Sequence, residues 1–238
     1  MVALAVRHEG KIASFDYAQD DKLRAFARLK AELSSKVGPA SLAIEGAVPT
    51  AIPELDRLLA GGFPPGVVVT LEGTTGRWSL AAGLVAELTR RSLVAILDDG
   101  TLYPPSLAEA GARLEHVLVV PARRALEVAR AVDILLRSRI CRLVLMPAIV
   151  LRDAIWSRLA MLAHRSGVLL IVMVARAGAA LSAVAELRLY CAFERAIVHG
   201  KRGLWGSFAG FDFCIDLRKH KHLPSALLGT TRLRAALR

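Results

Sequence analysis

The spacing of hydrophobic positions changes along this chain, and each change marks a different kind of element. Over residues 21–35, DKLRAFARLKAELSS, the apolar residues Leu23, Phe26, Leu29 and Leu33 recur at helical spacing with lysines and arginines between them. That pattern predicts an amphipathic helix, and Gly38 and Pro39 end it. From residue 66 onward short apolar runs alternate with amphipathic stretches. The runs predict strands over 66–71, 93–97, 117–120, 143–146 and 168–174, and the stretches predict helices over 78–90, 105–112, 124–137 and 152–165.

Strands that are apolar on both faces must be covered on both faces. The alternation therefore predicts an α/β fold with a mostly parallel twisted sheet between two helical layers. After residue 180 the runs shorten to 187–193, 196–199 and 211–217, with turns at Gly200 and Gly203, and these predict antiparallel strands finishing the sheet. The stretch 175–183 is expected as a connector of small residues. The resulting division is an N-terminal segment 1–46, a core 47–217 and a C-terminal tail 218–238.

At 238 residues and 54% hydrophobic, the chain has enough apolar surface for one sizeable core. Charge changes the picture more. Thirty-two Lys and Arg against 21 Asp and Glu give a formal charge of +11, which attracts phosphate backbones, anionic lipids or acidic protein faces. The tail concentrates this charge in Arg218, Lys219, Lys221, Arg232, Arg234 and Arg238, with no acid among them. Together with Lys201 and Arg202 of the preceding turn, these are candidate contacts to DNA or to a protein partner, through counterion release in the first case. Trp205 or Phe208 beside that turn could stack on bases, or could pack in the core. The apolar residues of 223–228 and 233–237 suit either docking on a partner groove or a terminal helix packed on its own domain. The stripe Leu23, Phe26, Leu29 and Leu33 likewise suits self-packing or contact with a second subunit.

Cys141, Cys191 and Cys214 share no close spacing and sit in apolar contexts, so they are expected as reduced, buried thiols in a cytoplasmic protein. No metal site is expected, because Lys-His-Lys-His at 219–222 has no partner ligands. The N-terminus carries no secretory pattern, and no apolar run reaches the ~20 residues of a membrane helix. His8, His116, His164 and Ser166 stand in no catalytic spacing.

The densest chemical signal is residues 48–79, where a helical LDRLL and the turn Gly61-Gly62-Phe63-Pro64-Pro65-Gly66 precede an apolar strand and a glycine-bearing loop. A working phosphate loop surrounds phosphates with backbone N–H groups, sends a Lys to the β and γ oxygens, and places a Ser or Thr hydroxyl on magnesium. In Gly73-Thr74-Thr75-Gly76-Arg77-Trp78-Ser79 the glycine spacing is short, Arg77 stands for the Lys and Trp78 takes the hydroxyl position. Ser79 comes one residue late.

Thr50, Leu55-Asp56, Leu58-Leu59 and the turn to Gly66 resemble the core of the RecA recombinases, and the likeness continues in order to about residue 217. Its later matches are residues 94–98, Ala125-Leu126-Glu127, residues 169–172 and residues 199–203. The shorter pattern, an amphipathic N-terminal helix, a degenerate phosphate loop and a basic tail, is similar to the ImuA family. The resemblance implies a RecA-like fold, and it places Met146 or Pro147 where a magnesium-orienting acid belongs and Gly100 where a water-activating Glu belongs. It also implies that both DNA-binding loops of the RecA core are trimmed. The expectation is a pseudo-ATPase with no catalytic residue, no metal and no cofactor. Its implied partners in translesion synthesis are an ImuB-type inactive Y-family polymerase and RecA, with direct DNA contact and self-association left open and no membrane contact. A division inhibitor of the SulA type and a weakly active DNA-dependent ATPase are the alternatives.

Overall fold

The computed structural model describes residues 46–50, 52–199, 207–223 and 228–236. The helix expected over 21–35, with Leu23, Phe26, Leu29 and Leu33, lies outside the described residues, as do Lys201, Arg202, Trp205 and Arg238.

Six strands run parallel: β1 (Val68–Glu72), β2 (Leu93–Asp98), β3 (Val117–Pro121), β4 (Cys141–Pro147), β5 (Leu169–Met173) and β6 (Leu187–His199). Two antiparallel strands, β7 (Ser207–His220) and β8 (Thr230–Ala236), extend the sheet beyond β6. The order across the sheet is β3-β2-β4-β5-β1-β6-β7-β8.

Alternation along each strand sends side chains to two cores. Val69, Leu71, Ile96, Leu145 and Ile171 face α1 (Pro53–Leu58), α2 (Arg77–Leu88) and α3 (Pro104–Glu109). Their neighbours Val68, Leu97, Val144 and Val172 face α4 (Ala125–Ser138), α5 (Asp153–Ser166) and α6 (Ala179–Val184). Trp156, 2% exposed, is the largest side chain of the second core. Ahead of β1, Asp56 Oδ1 accepts the Thr50 N–H and the Thr50 hydroxyl, both at 2.8 Å, which fixes the approach to the sheet. No helix among the described residues is long and apolar enough to cross a membrane.

Three expectations change. The runs 187–193 and 196–199 are one strand, because the polar pair Glu194-Arg195 is absorbed by a register shift against β7. Within 175–183 the small residues include α6, whose single fully buried side chain is Leu181. The segment from 218 is not an appendage over its described parts: Arg218 and Lys219 lie inside β7, and 230–236 pairs with β7 as β8. A terminal helix over 233–237 is thereby replaced by a strand.

Candidate functional site

The glycine-bearing loop follows β1 at the carboxyl edge of the parallel strands and opens α2. Gly73 has φ +111°, a backbone conformation that favours glycine, and a Cβ there would sit 2.0 Å from the Cys191 carbonyl oxygen. Its N–H donates to the Ala175 carbonyl at 3.0 Å, so a donor that could cradle a phosphate is spent on β5. The Thr75 hydroxyl accepts the Phe193 N–H at 3.2 Å and ties the loop to β6. Thr74 is exposed, and Gly76 is the left-handed N-cap residue of α2. The loop is thus tied at Gly73 and Thr75 to the chain beside it.

Beyond the loop, the carboxyl ends of β2, β4 and β5 enclose a cleft of about 370 Å³. Leu97, Leu145, Met146 and Met173 give it an apolar floor, and Trp78, 38% exposed, stands at its side. Among the described residues Asp98 and Asp99 are its acids and Arg77 its one cation. Ser79 does not line it.

Asp98 is a structural acid. Its Oδ1 accepts the N–H groups of Gly100, Thr101 and Leu102 at 2.9, 3.1 and 3.0 Å. Partial burial pushes its pKa up, but those three bonds and the Arg123 charge outweigh burial and hold the carboxyl below the usual carboxylate range. Asp99 accepts the Thr101 hydroxyl at 2.7 Å. Arg77 Nε is buried without a hydrogen-bond partner. Met146 is 1% exposed at the position implied for the magnesium acid, and Pro147 follows it. A magnesium nucleotide needs a hydroxyl at the start of the helix, an acid at the end of β4 and free loop N–H groups. The side chains present do not fit that group.

Next to this cleft, Glu72 is fully buried at the end of β1. It takes a two-pronged ion pair from Arg188 at 2.7 and 3.1 Å, the Thr70 hydroxyl at 3.1 Å and the Ala177 N–H at 3.4 Å. Burial alone would raise its pKa, but these partners, Arg188 foremost, bring it below the ordinary value. Burial also pushes the Cys191 thiol up to about 12 and raises that of Cys141, and burial with the charges of Glu194 and Asp216 raises that of the half-buried Cys214, so the thiolate is disfavoured at all three.

Of the basic candidates of the C-terminal part, Arg218, Lys219, Lys221 and Arg232 are engaged within the fold. Arg218 stacks 3.8 Å over the Tyr190 ring and pairs with Asp216 at 3.5 Å and Glu72 at 3.8 Å. Lys219 Nζ donates to the Ser182 and Ala183 carbonyls at 3.0 and 3.4 Å. Lys221 pairs with Glu186 at 3.3 Å, and Arg232 with Glu194 at 3.0 Å. Arg234 stands opposite Asp212 in the β7–β8 register. No group of metal ligands is assembled among the described residues.

No protein-family model matches the chain, and no curated protein matches it. Among solved structures the RadB recombinase is similar, with a TM-score of 0.59 and 19% identity over 79% of this chain and 95% of that one. Strand order, layering and this likeness together give the chain a RecA-like fold.

Proposed function

We propose that this chain is a non-catalytic RecA-fold adaptor in the cytoplasmic response to DNA damage, serving translesion synthesis by joining an ImuB-type inactive Y-family polymerase to RecA. The observation that carries the reading is the composition of the carboxyl-edge cleft. Where the fold class places its ligands, this chain presents Met146, Pro147, Trp78 and two acids, and its loop N–H at Gly73 is already bonded. Two acids lining the cleft disfavour an anionic nucleotide, and an indole cannot ligate magnesium. The short links 148–152 after β4 and 174–178 after β5 leave no room for the long loops that hold DNA in a RecA core, which favours a partner-binding role over a filament-forming one.

Two measurements test this. Magnesium-dependent ATP hydrolysis by the full chain is expected to stay at background, and turnover lost on Arg77→Ala would overturn the non-catalytic part. Immobilised full-length chain is expected to retain the ImuB-type polymerase and RecA in separate incubations. Retention of neither would overturn the adaptor part. Truncation after Leu217 is not a usable variant, since it removes β8 and the end of β7.

A further inference from the structure

The three strands that end at the cleft begin at a second hollow. At the amino edge, the entries to β2, β4 and β5 enclose about 360 Å³. Arg91 and Leu93 come from the entry to β2, Arg139, Ile140 and Arg142 from the entry to β4, and Ser166 from the end of α5. No acid among the described residues lines it.

The neighbouring cations Arg90, just past the end of α2, and Arg137, within α4, pair with Glu87 and Asp133. Arg91, Arg139 and Arg142 pair with no acid among the described residues. A guanidinium carries five N–H donors. Arg139 spends one on the Arg165 carbonyl at 3.0 Å, Arg142 one on the Gly46 carbonyl at 3.3 Å, and Arg91 none. The remaining donors face solvent or the hollow.

Helix geometry explains some of this cation density and not all of it. The C-termini of α2, α4 and α5 converge on this edge, each carrying about −0.5 of an elementary charge. Their sum, about −1.5, is half the formal charge of the three arginines, so the hollow stays positive. The bond from Arg139 to the last turn of α5 is a capping contact, while Arg91 caps nothing.

We propose that this hollow binds single-stranded nucleic acid through consecutive phosphates, without regard to base sequence. Arg139 and Arg142 lie three residues apart at the entry to β4, a reach of up to about 10 Å along the chain, and Arg91 stands at the entry to the neighbouring β2, so the cations suit a run of phosphates better than one converging ion. Leu93 and Ile140, 40% and 54% exposed between the arginines, offer apolar surface to unstacked bases. The inference goes beyond the adaptor reading and does not depend on it, since phosphate contact here requires neither partner.

The test is anisotropy of a fluorescent single-stranded oligonucleotide of mixed sequence, titrated with the full chain over a salt series. The double variant Arg91→Glu, Arg142→Ala is expected to weaken binding at least about tenfold at low salt. Its slope of log affinity against log salt is expected to fall by about 1.4, roughly 0.7 for each lost phosphate contact. Arg91→Glu alone breaks no hydrogen bond of the fold and keeps the experiment interpretable if the double variant is unstable. Arg232→Ala, which removes a cation already paired with Glu194, is expected to stay within about twofold. An unchanged slope in Arg91→Glu, no binding by the unaltered chain, or an equal loss in Arg232→Ala would overturn the proposal. So would capture by phosphatidylglycerol-containing but not pure phosphatidylcholine vesicles that Arg91→Glu abolishes while oligonucleotide binding is kept.

Discussion

The same three strands, β2, β4 and β5, close on hollows of nearly equal volume at their two ends, about 370 Å³ at the carboxyl edge and about 360 Å³ at the amino edge. Among the described residues, the carboxyl-edge hollow has an apolar floor, two acids held by the local backbone and hydroxyls, and one half-buried cation. The amino-edge hollow has three arginines, two exposed and one half-buried, and no acid. Open α/β sheets place ligands beyond the carboxyl ends of their strands, so the fold points to the first hollow. The side chains point to the second. Fold sets where a site can be built, while charge and free hydrogen-bonding groups decide what it can hold.

If the carboxyl edge is fixed scaffold, its loop cannot rearrange. Gly73→Ala is expected to cost about 4 kcal/mol, from a left-handed residue that gains a Cβ and from the displaced backbone of β6. Urea denaturation measures it, and a cost below about 1 kcal/mol would show a loop free to re-form around a phosphate. Next in size is Glu72→Gln, expected to cost about 3 kcal/mol because it strands Arg188 beside a fully buried position without its counter-charge. A smaller loss, near that of an exposed pair, would mean that solvent reaches the sheet beside the cleft and that the edge is softer than its packing implies.

Much of this architecture is legible in the chain because strands buried on both faces have a strong signature. Leu143 to Met146 and Leu169 to Val172 cannot be placed at a surface, and the observed strands differ from the predicted ranges by a residue or two at each end. Around residue 194 the polar pair Glu194-Arg195 imitates a strand end, and only the partner strand shows that the ladder resumes. α6 is illegible because Ala179, Ala180, Ser182 and Ala183 carry no period. In 230–236 the alternation Arg232-Leu233-Arg234 is a period-two signal for a strand, masked by its charge. The degenerate loop can be read residue by residue, but its ties to Ala175 and Phe193 cannot. Arg91, Arg139 and Arg142 are brought together only by the order β2-β4-β5, and the available hint is an Arg within two residues of the start of both β2 and β4.

The two edges are also expected to differ in acid. His220 closes β7 opposite Leu187, the first residue of β6, at the amino edge. Burial, aided by the nearby His222 and opposed by Glu186, lowers its pKa to about 4. The unfolded chain takes up this proton below about pH 6.5 and the folded chain only near pH 4, so stability is lost as pH falls through that window. The loss is about 2 kcal/mol between about pH 7.5 and about pH 5. Asp98 has linkage of the same sign in a lower window: its lowered pKa gives stability that is present above the unfolded carboxylate value and lost as pH falls through the folded one. Urea midpoints across pH are therefore expected to flatten above about pH 5 in His220→Leu and to keep their slope in Asp98→Asn. The reverse assignment would move the acid-sensitive element to the carboxyl edge.

The smallest expected effect is the one that discriminates most sharply between the edges. Among the described residues Arg77 is the only cation lining the carboxyl-edge cleft, and its Nε is buried without a partner. A side chain kept for phosphate would hold such a donor ready for the ligand. A side chain that is scaffold carries the same donor as a net cost of about 1–3 kcal/mol, offset by packing of its stem. Arg77→Leu keeps the stem volume and removes the donor, so the scaffold reading expects stability unchanged or raised by up to about 1 kcal/mol in urea. It also expects the same non-saturating response to a fluorescent ATP analogue as the unaltered chain. Saturable binding by the unaltered chain that disappears in Arg77→Leu would make the carboxyl edge a living nucleotide site. The two ends of the same strands would then differ in ligand, and the contrast between scaffold and binding surface would no longer hold.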